Sequence, residues 1–361
     1  MEEKYLLEIC NPKQWKTIPK SQLSENGKFP VYGANGIIGR YNEYNHEKPT
    51  VLITCRGATC GNIHITVPNA YINGNAMALD NLNEIICKKE YLYYFLQYYD
   101  MSKIISGTAQ PQITITGLKK VKVKLYSINK QEEIVNELNK INKLIKLKER
   151  QLEELQKLIK SQFVEMFGDI KNSKFDIRSI KSLVGTNIIK TKKKHKKSDI
   201  IKYVDISSID NLKNEIISYK EYEVGLEPSR ARQCLTKGDI LISTVRPNLK
   251  NIAVNNYEED NVVGSSGFCI LRVNKCMKEY LLEVVKTEKF TNDMILLATG
   301  ANYPAIHDKD ILDYKIAVPP ITLQNQFSEI VKQIDKQKFE IEKSLKETQE
   351  LYESLMEKYF G

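Results

Sequence analysis

Two arginines stand where a side chain could be displayed for recognition chemistry. Arg56 follows the apolar run Val51-Leu52-Ile53-Thr54, and Arg246 follows Ile240-Leu241-Ile242-Ser243, so each lies just beyond a strand-like segment. A guanidinium offers a planar fork of donors that matches guanine, and the amides of Asn and Gln pair a donor with an acceptor as adenine requires. Such residues recur in glycine-bounded stretches nearby. In the first half they are Asn35 and Arg40 in Gly33–Arg40, Arg56 itself, Asn73 and Asn75 on either side of Gly74, and Gln110 after Gly107. In the second half they are Ser243, Thr244, Arg246, Asn248 and Lys250, then Ser265 and Ser266 between Gly264 and Gly267, then Asn302 and Tyr303 after Gly300. Glycine lets a backbone approach a ligand closely, and these positions are the expected base- or groove-facing candidates. The competing reading of either arginine is a loop cap or a partner for a carboxylate.

Lys190-Thr191-Lys192-Lys193-Lys194-His195-Lys196-Lys197 places six lysines in eight positions. Such a run is a solvated loop or a set of phosphate contacts that neutralise a polyanion without reading it. Lys190, Lys192, Lys193, Lys194, Lys196 and Lys197 are accordingly the expected phosphate contacts. The net charge of +9 points the same way but weakly, since an AT-rich genome would also encode a lysine-rich chain. Tyr91–Tyr99 is rich enough in aromatics to stack bases, yet Leu92, Phe95, Leu96 and Tyr99 share one helical face, which predicts core packing. Trp15, the single tryptophan, reads as a core or interface anchor.

Chemistry of other kinds finds little support. There is no Gly-x-Gly, hence no dinucleotide fingerprint and no glycine loop of a typical methyltransferase cofactor site, and no phosphate-cradling Gly-x-x-x-x-Gly-Lys-Ser/Thr. Asn-Pro-Pro-Tyr/Phe, the usual adenine-methylating tetrapeptide, and a nuclease-like Pro-Asp followed by Glu-x-Lys are missing as well. The four histidines, His46, His64, His195 and His307, are far apart, so spacing offers neither a metal cluster nor a Ser-His-Asp set. Cys60 and His64 could pair, but on a strand-like run local packing is the plainer reading. The seven cysteines include no Cys-x-x-Cys and read as reduced core thiols. No catalytic residue and no metal ligand is expected.

The elements that must position the arginines are repeated. Pro111 to Gly168 lies on Pro304 to Gly361 without a gap, 193 residues apart, with about a quarter of the positions identical. Pro111/Pro304, Ile113/Ile306, Ile128/Ile321, Gln131/Gln324, Leu158/Leu351, Ser161/Ser354, Phe167/Phe360 and Gly168/Gly361 are such pairs. The two runs leading to Arg56 and Arg246 extend the duplication upstream more faintly. The halves differ most in their bodies and least in their helical ends, which implies shared assembly surfaces and two different ligand surfaces.

Each copy closes on a long helix with a 3.5-residue apolar seam. Ile134, Leu138, Ile141, Ile145, Leu152, Leu155 and Ile159 form it in the first, and Phe327, Val331, Ile334, Ile341, Leu345, Tyr352 and Leu355 in the second. The seams are interrupted at different layers, so the helices are expected to pair with each other about a pseudo-two-fold axis, antiparallel, as a rod of about 60 Å. Homo-oligomerisation through the same seams is the other reading. Strands are expected near 30–33, 50–54, 62–67, 121–125, 201–206, 239–244, 251–255, 268–273 and 314–318, and shorter helices near 90–104 and 278–296, which makes each body α+β.

The order of these elements resembles the specificity subunit of a type I restriction-modification system. The residues that carry the resemblance are Lys237-Gly238-Asp239 through Val245-Arg246-Pro247, Gly300-Ala301-Asn302-Tyr303-Pro304-Ala305-Ile306, and Val318-Pro319-Pro320 before a Gln and a long helix. The first half departs in having Tyr126-Ser127 for Pro319-Pro320 and a shorter body. The resemblance implies an α+β chain with two mixed α/β globular target recognition domains, at 1–128 and 169–320. These are joined by two long antiparallel coiled-coil helices, at 129–168 and 321–361. It further implies that each domain reads one half of a split target on double-stranded DNA, and that the helices set the gap between the halves. The partners it implies are two copies of a modification subunit, an adenine methyltransferase, and a restriction subunit that translocates DNA. S-adenosylmethionine, ATP and Mg would then belong to those partners and not to this chain.

Length and composition set the outer bounds. At 361 residues and 42% hydrophobic content the chain can build two or three cores, and no apolar run approaches the ~20 residues of a membrane span. Without a recognisable leader, cytoplasmic residence is the expectation. A coiled-coil adaptor that binds proteins and not DNA would explain the helices and the duplication, but not the Arg/Asn/Gly-rich loops on diverged bodies.

Overall fold

The computed structural model describes residues 2–34, 36–107, 110–168, 175–185 and 188–361. It divides into two compact units that do not follow chain order. Unit 1 is Met1–Arg150 with Glu342–Gly361, and unit 2 is Gln151–Ile341. The long helices run Ile128–Phe167 and Ile321–Phe360, 40 residues each, beside the limits expected at 129–168 and 321–361. Each unit thus holds one body, the first part of one long helix and the last part of the other.

In unit 1 a four-stranded antiparallel sheet is ordered Asn11–Gln14, Ala76–Asp80, Val51–Thr54, Ile63–Ile65. Val51–Thr54 is buried along its whole length, which is why it reads as an unbroken apolar run and not as an alternation. Gly36–Tyr41, Phe29–Gly33 and Tyr71–Ile72 form a second, three-stranded sheet. Helix Lys89–Tyr98 buries Tyr91, Leu92, Tyr94, Phe95 and Leu96, so this aromatic stretch is core. The same cluster takes in Ile134, Leu138 and Ile141 from the first long helix and Leu355, Met356, Tyr359 and Phe360 from the second. Tyr359 donates to Glu137 at 2.6 Å, and Lys148 donates to the Ser344 hydroxyl, so within this unit the two helices run antiparallel.

Unit 2 is larger. A six-stranded sheet is ordered Val184–Gly185, Phe268–Val273, Ile240–Ser243, Ile252–Val254, Glu215–Ile216, Ile209–Asp210. A four-stranded sheet is ordered Lys220–Glu223, Ile200–Val204, Val262–Ser265, Ala231–Cys234. The expected helix at 278–296 is two, Lys278–Lys286 and Glu288–Leu297, because Thr287 turns extended and caps the second by accepting from the Phe290 N–H at 3.2 Å. Ile159, Phe163 and Phe167 from the first long helix share the core with Phe327, Val331 and Ile334 from the second. Ile145, Leu152, Leu155, Ile341, Leu345 and Tyr352 are half-buried, while the seam positions nearer the bodies are fully buried.

The two units repeat a scaffold. Val51 pairs with Ile65 and Ile53 with Ile63, as Ile240 pairs with Val254 and Ile242 with Ile252. Glu2–Tyr5 lies antiparallel to Lys122–Leu125 as Asp176–Ser179 lies against Lys315–Val318. Both long helices close alike, with the Gly168 N–H on Val164 O at 2.9 Å and the Gly361 N–H on Glu357 O at 2.8 Å. The left-handed φ of +68° at Gly168 is one that a side chain disfavours.

Candidate nucleic-acid interface

The loops that carry the arginines are stitched together by backbone hydrogen bonds within each unit. In unit 1 the Cys55 N–H bonds Asn75 O at 3.0 Å, the Ile113 N–H bonds Cys55 O at 3.1 Å, and the Thr59 hydroxyl reaches Ala34 O. Arg56 is exposed and bridges Gln112 through its backbone, and its guanidinium has no hydrogen-bond or ion-pair partner among the described residues. Gln110 is exposed and Asn75 half-buried. Asn35 lies outside the described residues.

Two candidates in unit 1 hold the scaffold instead. Asn73 is 2% exposed: its Oδ1 accepts from Ile18 N at 3.0 Å and Gly74 N at 2.8 Å, and its Nδ2 donates to Ile18 O at 3.3 Å. A base edge cannot reach it. Arg40 directs its guanidinium at the carbonyls of Gly27 and Lys28, at 2.6 and 2.7 Å, which ties the strand to the preceding turn.

Unit 2 gathers four loops. The Thr244 N–H bonds Gly267 O at 2.9 Å, Arg246 N–H bonds Pro304 O at 2.7 Å, Ile306 N–H bonds Thr244 O at 2.9 Å, and Ser266 N–H bonds Arg230 O at 2.8 Å. Arg246, Asn248, Ser266, Asn302 and Tyr303 are exposed on this cluster. Three expected groove contacts are not. Ser243 and Ser265 are each 3% exposed; Ser243 donates to Val245 O at 2.9 Å, and Ser265 accepts from Gly267 N at 3.2 Å. Thr244, also buried, donates to Gly267 O at 3.0 Å. Short hydroxyls bond nearby backbone in turns, and here that fixes the loops. Lys250 is half-buried and paired with Glu288, whose carboxyl it holds below the usual range by hydrogen bond and charge.

Asp239, 1% exposed, receives Arg272 through Nη2 at 2.7 Å and Nε at 2.9 Å and pushes that guanidinium further up. The pair anchors the start of strand Ile240–Ser243 that leads to Arg246. Arg230 was not a sequence candidate, yet it is exposed and bonded through its carbonyl to Ser266. Its only signal was the run Ser229-Arg230-Ala231-Arg232.

Thr191–Lys194 is one helical turn, with Thr191 buried and donating to Ala231 O at 3.0 Å. Lys190, Lys192, Lys193, Lys196 and Lys197 project into solvent around it, whereas Lys194 is tied to Asp260 at 3.0 Å. Trp15 is half-buried and donates to Asp80 at 3.0 Å, a packing role. Among the described residues no three His, Cys, Asp or Glu side chains gather as a metal would require, all seven cysteines are free, and no helix is long and apolar enough to cross a membrane.

Comparison with known proteins identifies the company this chain keeps. The family model for the type I restriction modification DNA specificity domain matches residues 1–157 and again 172–351. The chain is 28% identical over 112 residues to the type I restriction enzyme EcoprrI specificity subunit of Escherichia coli, which is 31% of this chain and 27% of that one. It is 23% identical over 338 residues to an inferred type I restriction enzyme specificity subunit of Haemophilus influenzae, covering 86% of this chain and 81% of that one. The fold is shared with the crystal structure of a type I restriction-modification S subunit from M. genitalium, at TM-score 0.61, 17% identity, and coverage of 100% of this chain and 96% of that one.

Proposed function

Because the chain belongs to the family of type I restriction modification DNA specificity domains, we propose that it is a specificity subunit that directs partner enzymes to a bipartite DNA target. Each body reads one half-site, and the long helices set the gap. The observation that carries this reading is one scaffold built twice with different residues at its apex. Ile113 N–H on Cys55 O corresponds to Ile306 N–H on Thr244 O, so Gly57 occupies the place of Arg246, and Gln110 that of Tyr303. A shared core frame with unlike tips suits two unlike half-sites.

The chain supplies sequence choice and no bond-making step. Methylation with S-adenosylmethionine would be done by modification subunits, and ATP- and Mg-dependent translocation with cleavage by a restriction subunit. Two copies of the modification subunit would dock, one per repeat. Support for the pairing comes from Glu154/Glu347, Leu158/Leu351 and Ser161/Ser354, positions that are identical in the two copies, exposed, and unused in either core. A surface kept twice without a packing reason fits one partner met twice.

The test is DNA selection by the chain assembled with its modification subunit. Two short half-sites at one fixed spacing are expected, and native mass spectrometry of the complex should give two modification subunits per chain. A one-to-one complex at saturation, or selected DNA with no common sequence, contradicts the reading.

A further inference from the structure

Arg246 adopts φ 51° and ψ 63°, a left-handed conformation in which a Cβ crowds the following carbonyl. The first copy places Gly57 there, at φ +93°, where no such crowding arises. An arginine at this position therefore carries a backbone cost that the other copy avoids, and strain of this kind collects at functional sites. Pro247 follows it, and the Arg246 N–H on Pro304 O at 2.7 Å fixes the backbone against the neighbouring hairpin.

That hairpin is closed by Thr299 and Ala305, which exchange two backbone bonds of 2.9 Å, with Gly300 at φ +102°. It presents Tyr303, 69% exposed, and the Arg246 guanidinium lies over the Tyr303 ring at 4.6 Å from the centroid. An exposed ring adds nothing to the core by this placement. What it does is hold a planar cation in one orientation, since a guanidinium stacks on an aromatic face. All the N–H donors of the Arg246 side chain are left without partners among the described residues, so the fork is oriented and unspent.

We propose that Tyr303 is a positioning residue that holds the Arg246 fork for a guanine in the half-site read by the second body. The first body, with Gly57 and Gln110 at the corresponding places, reads its half-site without an arginine there. This rests on the proposed reading of the bodies as DNA-recognising. Guanine is the base that matches the fork, through O6 and N7 in the major groove.

The experiment uses the full chain with its modification subunits and a panel of duplexes in which each base pair of the selected target is changed in turn. Arg246→Ala should lower discrimination at one G·C pair of one half-site by roughly 5- to 150-fold and leave the other half-site intact. Tyr303→Ala should lower it at the same pair by about two- to fivefold, and Tyr303→Phe should retain it, because the ring and not the hydroxyl does the holding. The proposal is overturned if Tyr303→Ala weakens all sequences alike, if Phe fails as Ala does, or if Arg246→Ala flattens the salt dependence with the target unchanged, the mark of a phosphate contact. A wild-type complex with no sequence preference would overturn the DNA-reading premise and the proposal together.

Discussion

Gln131 and Gln324 share two equivalent hydrogen bonds in the two units, and Gln131 adds a third, from Nε2 to Ile86 O at 2.9 Å. Gln131 Oε1 accepts from Lys88 N at 2.9 Å and its Nε2 donates to Tyr126 O at 2.9 Å; Gln324 Oε1 accepts from Met277 N at 2.8 Å and its Nε2 donates to Pro319 O at 2.7 Å. Lys88 and Met277 are the N-caps of the two body helices, so each glutamine joins a long helix to its own body at an otherwise unsatisfied helix end. Both side chains are buried, at 0% and 1% exposure. Gln131→Ala and Gln324→Ala should each cost about 1–3 kcal/mol, because backbone groups that are buried or half-buried lose the side chain that satisfies them. Urea unfolding of each variant checks this, and a loss indistinguishable from that of an exposed Gln→Ala change would contradict it.

The C-terminal phenylalanine should stabilise the N-terminal body. Phe360 packs on Tyr91 at 5.4 Å and Phe95 at 6.1 Å, while Phe167 packs on Tyr280 at 4.8 Å. Tyr91 and Tyr280 in turn donate to Lys124 O and Ala317 O, at 2.7 and 2.5 Å. Phe360→Ala is expected to cost about 3–5 kcal/mol and to raise amide exchange in helix Lys89–Tyr98. Faster exchange in Lys278–Lys286 instead would contradict the assignment of that residue to unit 1.

Stability should fall at alkaline pH. Burial pushes the thiols of Cys10, Cys87 and Cys276 up from 9.0 to about 12. The folded state therefore holds these protons more tightly than the unfolded chain does. Their contribution is complete below the unfolded value near 9 and is lost as pH rises towards 12. Melting temperature measured across that window should decline, and an increase would contradict the sign.

The lysine turn and Arg246 should separate in their salt dependence. Replacing Lys192, Lys193, Lys196 and Lys197 with alanine is expected to weaken binding to all sequences and to lower the slope of log K against log salt by roughly 0.9 for each phosphate that is no longer neutralised. Lys194→Ala should change that slope less, since its ammonium is already engaged by Asp260. Loss of sequence preference with an unchanged slope would contradict the phosphate assignment.

How far the sequence could be read depended on what each residue's partner was. The long helices were legible because the 3.5-residue seam and the closing glycines are local patterns, and Gln131/Gln324 stood out because both copies keep them. The strands Val51–Thr54 and Ile240–Ser243 were legible as apolar runs. Gly36–Tyr41 was not, since its glycines interrupt the pattern and an apolar residue, Ile37, faces solvent, nor was Ala231–Cys234, whose short run sets Arg232 and Gln233 between two small buried residues. Asn73, Ser243 and Ser265 read as groove contacts from residue type, and only the fold shows that their polar atoms are spent on backbone. The register between Arg56 and Arg246 also slipped by one. Both follow equivalent strands, but Arg246 matches Gly57, a distinction that only the bonds of Cys55 and Thr244 reveal.

The measurement that tests the central claim most directly is genome-wide methylation mapping of host DNA with and without this chain. The account predicts a split motif of two short half-sites at one fixed gap, with adenines methylated only when the chain is present alongside its modification subunit. An identical methylation pattern with and without the chain, in cells where that modification subunit is shown to be produced, would contradict it.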